Sequence, residues 1–167
     1  MLTQSRLKEL LHYSPETGDF TWLVQRGRVK IGDIAGSLHW TGYRITQIAE
    51  KEYSAHRLAF FYMTGAWPAD QVDHKNGVRH DNRWDNLRQA THAENHQNGA
   101  VRSNNKSGFM GVSWNVKRRK WQAHITFARR IKFLGRFTTP EDAYAAYLAA
   151  KANLHPFQPV PRDAACL

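Results

Sequence analysis

Sulfur is almost missing from this chain. One cysteine, Cys166, stands beside the C-terminus of 167 residues, which excludes an internal disulfide and any zinc centre built on several cysteines. No apolar run approaches the roughly 18 residues that span a bilayer, and the N-terminus lacks the charged-then-apolar layout of a secretory signal. A cytosolic or nucleoid-associated protein is therefore expected. Acidic residues are scarce too: 14 Asp and Glu face 24 Lys and Arg, for a formal net charge of +10 and a pI near 10.0. A soluble chain with that imbalance most often meets a polyanion, although a merely basic protein has the same composition. What the chain has in quantity is aromatic rings, with six Trp and eight Phe, most of which must be core.

Three parts follow one another. In the first, "QSRLKELLHY" sets Leu7, Leu10 and Leu11 at helical spacing, and "SPETGDFTWLV" turns at Gly18 into a strand where Phe20 and Trp22 alternate with Thr21. Short strands punctuated by Gly32, Gly36 and Gly42 follow, then the apolar helix "HRLAFFYMTG", stopped at Gly65 with Pro68 beyond. This part reads as scaffold, with backbone contact through Arg26, Arg28 and Lys30. The second part is "VDHKNGVRHDNRWDNLRQATHAEN". "QVDHKNGVRHDN" predicts a strand, an Asn-Gly turn and a return strand. "THAENHQNGA" predicts a short helix with Thr91 as cap and Glu94 completing a capping box, so the order is strand, strand, helix.

A polar linker, "GAVRSNNKSG", leads to the third part. "FMGVSWNV", "KWQAHITF" and "RRIKFLGRF" predict three strands, the middle one alternating Trp121, Ala123, Ile125 and Phe127 with Gln122, His124 and Thr126. "TTPEDAYAAYLAAKANL" predicts a helix capped by Thr139, with Pro140 first and Asp142 third, whose Tyr144, Tyr147 and Leu148 cover the sheet. The expected architecture is α+β. A small sheet and helix (1–55) lead into a strand-strand-helix module (56–99), and a linker (100–107) into a three-stranded antiparallel sheet on one helix (108–155). An irregular tail (156–167) ends it.

Chemistry concentrates in the second part. Hydrolysis of a phosphodiester needs a base that works near neutral pH and a cation that stabilises negative charge on the phosphate and leaving oxygen. An imidazole has the pKa for the first task. Oxygen ligands from carboxylates and amides suit a hard cation for the second. His74 can be the base, and Asp73, Asn86 and Asn95 can supply oxygens. Adjacent residues on one strand point to opposite faces, which suits distinct roles for Asp73 and His74. The plainer alternative is that asparagines at turns satisfy backbone groups, as Asn76, Asn82 and Asn98 could. A zinc site from His74, His80, His92 and His96 matches no common spacing.

The complete pattern D-H-x-N-G-x-x-x-D-N-R-x-x-N-L-R-x-x-T-x-x-E-N, from Asp73 to Asn95, resembles the HNH nuclease motif in the His-Asn-Asn form of phage and intron-encoded homing endonucleases. With the upstream "HRLAFFYMTGAWPADQ" and "LHYSPETGDFTW", the resemblance covers nearly all of residues 1–99. It implies a ββα-metal module with His74 as general base, Asp73 and Asn95 as metal ligands, and Asn86 holding the His74 loop or ring. It further implies one divalent cation, Mg²⁺ or alternatively Mn²⁺, and double-stranded DNA as substrate, with Arg79, Arg83 and Arg88 on phosphates. The last position is Asn where many of these nucleases have His.

The third part resembles the ethylene-response-factor type of DNA-binding domain through Gly111-Val112, Trp121, Ala123, Ile125, Leu134-Gly135, Phe137 and "PEDAYAAY". That family lays its sheet in the major groove. Here the outer face carries Ser113, Asn115, Gln122, His124 and Thr126 instead of several base-reading arginines. The cations gather at Lys117, Arg118, Arg119, Lys120, Arg129 and Arg130. Small polar groups discriminate bases less than a bidentate Arg does, so modest selectivity with much phosphate contact is expected. Together these resemblances imply a metal-dependent homing-type DNA endonuclease, acting as a monomer that nicks one strand in the cytoplasm of a bacterial or phage-infected cell. No membrane and no protein partner is implied. The competing readings are a non-catalytic, sequence-selective DNA-binding regulator and an RNA-binding module.

Overall fold

The structure, a computed structural model, describes residues 2–99, 101 and 104–158. The chain divides into two compact units, Met1–His92 and Ala93–Leu167. The tail expected over 156–167 lies outside the described residues from 159 onward, as do residues 100, 102 and 103 of the expected linker.

The first unit opens with α1 (Gln4–Leu10), capped where the Thr3 hydroxyl accepts the Arg6 N–H. It runs straight into β1 (Leu11–Tyr13), which pairs antiparallel with β2 (Phe20–Trp22). Leu11, Tyr13, Phe20 and Trp22 all face the core, the period of two that a half-buried strand dictates. A second sheet has the order β3 (Ser37–Leu38), β4 (Arg44–Ile48), β5 (Lys51–Ser54). Directly after it comes α2 (Ala55–Thr64), closed by Gly65 at φ 78°, whose N–H bonds Phe61 O. Ala55, Leu58, Ala59 and Phe61 of α2 join Leu7, Leu11, Phe20 and Ile48 in one core.

The strand-turn-strand expected across "QVDHKNGVRHDN" is not what forms. β6 (Gln71–His74) pairs with β7 (Leu87–Ala90), and residues 75–86 make a broad loop that ends in a 3-10 turn at Trp84–Asn86. The Asn-Gly pair does turn the chain, with Gly77 at φ 73°. Asn76 then captures Val78 N–H and the Asp81 carboxylate with its own amide, and this local bonding replaces strand pairing. α3 (His92–Gln97) follows β7, so the chain order is still strand, strand, helix.

In the second unit, β8 (Val112–Asn115), β9 (Lys120–Phe127) and β10 (Arg130–Phe137) form one antiparallel sheet in the order β10-β9-β8. It is backed by α4 (Pro140–Leu154), which starts with Thr139 accepting the Asp142 N–H. Val112, Ala123 and Ile125 pack on Ala143, Tyr144 and Tyr147. Phe127, expected on the buried face, is exposed at the last position of β9, just before the β9–β10 turn. Among the described residues no helix is long and apolar enough to cross a membrane.

Candidate active site

Asp73 and His74 end β6 and are both buried, His74 to 4% exposure. The Asn82 amide bonds the imidazole. His74 Nε2 lies 3.1 Å from Asn82 Oδ1, while Asn82 Nδ2 donates to His80 O. With the amide nitrogen committed to a carbonyl, its oxygen faces the ring, so Nε2 must carry the proton. The basic lone pair of His74 is then on Nδ1. Burial lowers the His74 pKa, with the Asn82 bond and the Asp73 charge working in the other direction.

Asn82 is itself held from outside the loop. Tyr13 OH donates to Asn82 O at 2.6 Å and Trp84 N donates to Pro15 O at 2.9 Å. The segment between β1 and β2 therefore clamps residues 82–84. Asn86 closes the loop from within: its Oδ1 accepts Asn76 N–H, its Nδ2 donates to Asp81 O, and its carbonyl accepts Lys75 N–H. Asp81 bonds Arg83 and Asn76, and the Arg83 hydrogen bonds pull its carboxyl down to about 2.

Two rings that the sequence did not mark pack on His74. His56, near the start of α2, meets it edge to face with centroids 5.1 Å apart, and Tyr43 lies 5.0 Å from His56 and 6.0 Å from His74. His56 is 8% exposed and its Nδ1 has no hydrogen-bond partner. Burial, then the nearby His74 and Arg57, push its pKa down to about 3, so it stays neutral beside His74. A histidine at the head of an apolar helix was the only available signal, and it is more often core.

The remaining expected residues are placed as follows. Asp73 Oδ2 receives two bonds from its cross-strand partner Arg88, each 2.8 Å. Arg79 donates to Thr41 O and lies over the Tyr43 ring. Arg83 is paired with Asp81. Asn95 lies on α3, in the second unit. Asp73 offers a carboxylate and Asn95 an amide, each a hard oxygen donor of the kind that suits a hard divalent cation. Among the described residues no group of three or more His, Cys, Asp or Glu gathers to hold a metal.

On the second unit, Ser113 and Asn115 oppose Gln122 and Lys120 across β8 and β9. Asn115 Nδ2 donates to Gln122 Oε1, and Gln122 Nε2 to Ser113 Oγ, so these amides form a ladder on the face away from α4. His124 and Thr126 continue that face. Lys117, Arg118 and Arg119 ride the β8–β9 turn, Lys120 opens β9, and Arg129 and Arg130 flank the β9–β10 turn. β10 adds exposed apolar side chains to the sheet. Ile131 and Phe133 oppose Thr126 and His124, with the Phe133 ring 5.4 Å from His124 and the Arg136 guanidinium 5.0 Å above Phe133.

Residues 53–97 match the family model described as HNH endonuclease. That stretch holds α2, β6, β7 and α3 with the whole His74 loop, a narrower span than residues 1–99, and it supports an HNH nuclease acting on DNA. No curated protein matches the chain. No solved structure matches it either.

Proposed function

We propose that the protein is a metal-dependent, homing-type DNA endonuclease that nicks one strand of double-stranded DNA, with His74 as the general base. The observation that carries this reading is the orientation of His74. Its ring is buried, its Nε2–H is committed to Asn82, and burial favours the neutral form. A base must be unprotonated at working pH and aimed at its water, and an imidazole whose Nε2–H is committed keeps its basic lone pair on Nδ1. Water loses its proton to Nδ1 as its oxygen bonds to phosphorus, the P–O bond to the leaving 3′-oxygen breaks, and that oxygen takes a proton from solvent water.

Asp73 and Asn95 would hold the cation, Mg²⁺ or alternatively Mn²⁺, which supplies charge stabilisation at the scissile phosphate. Arg88 orients the Asp73 carboxylate and offsets its charge before any cation binds. Asn86 is proposed as a positioning residue that keeps the 75–86 loop, and thereby Asn82, in register with the imidazole. Arg79 and Arg83, both already bonded within the protein, contribute positive potential near the DNA backbone.

The second unit is proposed as the DNA-reading module, of the ethylene-response-factor type. From Gly108 to Phe137 it carries lysines and arginines and no acidic residue, and its amide ladder faces away from α4. The polypeptide is proposed to act as a monomer in the cytoplasm.

The test is supercoiled plasmid incubated with and without Mg²⁺, intact chain against His74→Ala. Metal-dependent nicking, lowered at least about 100-fold in the variant, supports the reading. DNA binding without cleavage by either protein, across several metals and sequences, overturns it in favour of a DNA-binding regulator.

A further inference from the structure

The most exposed large apolar side chain in the described residues is Trp40, at 89%. Indole is among the costliest surfaces to leave in water, so its position matters. Trp40 stands at the tip of the β3–β4 hairpin, and the tip is well ordered by its own bonds. His39 N donates to Tyr43 O and Gly42 N to His39 O, while the His39 imidazole bonds the Thr41 hydroxyl at 2.7 Å.

Three links tie this tip to the candidate active site, all within the first unit. Arg79, in the loop after His74, donates to Thr41 O at 2.7 Å. The same guanidinium lies 5.3 Å from the Tyr43 ring centroid. Tyr43 in turn packs on His56 and His74. Leu38, exposed on β3, extends the apolar surface, and its cross-strand partner Arg44 and the pinned Arg79 flank it with positive charge. An exposed indole on a bonded hairpin tip, with Arg79 anchored at Thr41 O and Arg44 on the same hairpin, on the same framework as a phosphodiester-cleaving imidazole, matches one partner chemistry: duplex DNA whose phosphates meet the arginines and whose base pairs meet the ring.

We propose that Trp40 is a wedge that stacks on a base pair close to the scissile phosphate, partly unstacking the duplex there. The proposal rests on the reading of the first unit as the DNA-cleaving unit. By unstacking one step, the wedge fixes the register of the backbone against His74 and lets the strand bend toward it.

The experiment needs no cleavage and no known target. Intact chain, Trp40→Ala and Trp40→Phe are titrated with mixed-sequence linear duplex DNA in EDTA, reading Kd and the quenching of tryptophan emission. Trp40→Ala should weaken binding about tenfold and remove the long-wavelength part of the quench. Trp40→Phe should remove the quench but keep Kd within roughly threefold, because it retains a stacking ring. The side chain is solvent-borne, so neither variant endangers folding. An unchanged Kd in Trp40→Ala, or a DNA-induced quench undiminished by removal of Trp40, overturns the proposal. So does emission that shifts with protein concentration and not with DNA, which would mean a second copy covers the ring. A chain that binds DNA through Trp40 yet never cuts refutes the nuclease reading alone, whereas nicking that is indifferent to Trp40 refutes the wedge alone.

Discussion

The two units of this chain place most of their polar side chains differently. The first buries them: Thr46, His56, Asp73, His74, Asn82 and Asn86 are all withdrawn from water, and the asparagines among them are hydrogen-bonded into one loop. The second packs Val112, Ala123, Ile125, Ala143, Tyr144 and Tyr147 into an apolar cluster, buries Asn98, Lys151 and His155 elsewhere, and spreads amides, hydroxyls and cations over the open face of its sheet. Burying a polar group is costly unless every bond is made. That cost is reasonable where one imidazole must hold one tautomer and one direction. It serves no purpose where a surface has to meet base edges and phosphates that arrive from solvent. The contrast argues for chemistry in one unit and recognition in the other, independently of any motif.

The strongest way to break this comparison is to damage each unit through a glycine whose missing Cβ is essential. Gly18 turns the chain between β1 and β2 at φ 79°, and a methyl there would run into the backbone of Asn82 and Arg83. Gly111, at φ 73°, is pressed against the Tyr147 ring and His124 O. Alanine at either site should destabilise its unit by more than about 1 kcal/mol. Gly18→Ala should abolish plasmid nicking with little loss of DNA affinity, because the clamp on Asn82 is displaced. Gly111→Ala should weaken DNA binding at least tenfold while residual nicking at high protein concentration persists. Binding isotherms and nicking assays on both variants check this, and identical losses in the two would refute the division of labour.

How much of this was legible in the sequence depends on how local the signal was. The Gly65 stop, the strand alternation in β2 and the Thr139 cap of α4 are written in neighbouring residues and form as those residues dictate, while β9 keeps its alternation as far as Ile125 and loses it at Phe127. Hairpin turns were not readable in the same way. Asn76-Gly77 has the strongest turn chemistry in the chain and does not join two paired strands. The tight turns that do are Ala49-Glu50 and Ala128-Arg129, with positive φ at all four residues and no glycine or asparagine to announce them. There the pairing of long strands overrides the local preference. At the candidate site, Asp73, His74 and Asn86 stood out because they are packed into one short polar stretch. His56 and Tyr43 did not, since their connection to His74 exists only after α2 and β4 fold onto β6. Asn82 was visible but read as a turn residue, because nothing in the sequence says which asparagine faces the ring.

A smaller effect sharpens the comparison through acid stability. The His56 pKa falls from an ordinary 6.5 to about 3, so between those values the unfolded chain binds a proton that the folded chain refuses. Stability therefore declines as pH drops from about 6.5 towards 3, by at most roughly 5 kcal/mol from this one group. His56→Phe, which keeps an aromatic ring against Tyr43 and His74, should flatten that acid limb. Urea unfolding at pH 7 and pH 4.5, followed by Trp emission, reads the difference. An equally steep decline in the variant would show that His56 is not the group responsible.

The smallest effect lies in the second unit, at its one buried cation. Lys151 on α4 is fully buried, and its Nζ donates to Gln97 O at 2.6 Å. Burial lowers its pKa from 10.5 to about 8. Between pH 8 and 10.5 the unfolded chain then holds more protons than the folded one, so stability rises with pH across that window, by at most about 3 kcal/mol. Below pH 8 the penalty of the buried charge is present in full, offset in part by the bond to Gln97. Lys151→Met fills similar volume without charge and should show no such rise, with thermal unfolding at pH 7 unchanged or slightly higher. A variant that unfolds well below the intact chain at pH 7 would mean that the Gln97 bond outweighs the desolvation of the ammonium. Lys151 would then be a polar group the second unit keeps buried to hold the Gln97 carbonyl in place, as the first keeps Asn82 to hold an imidazole.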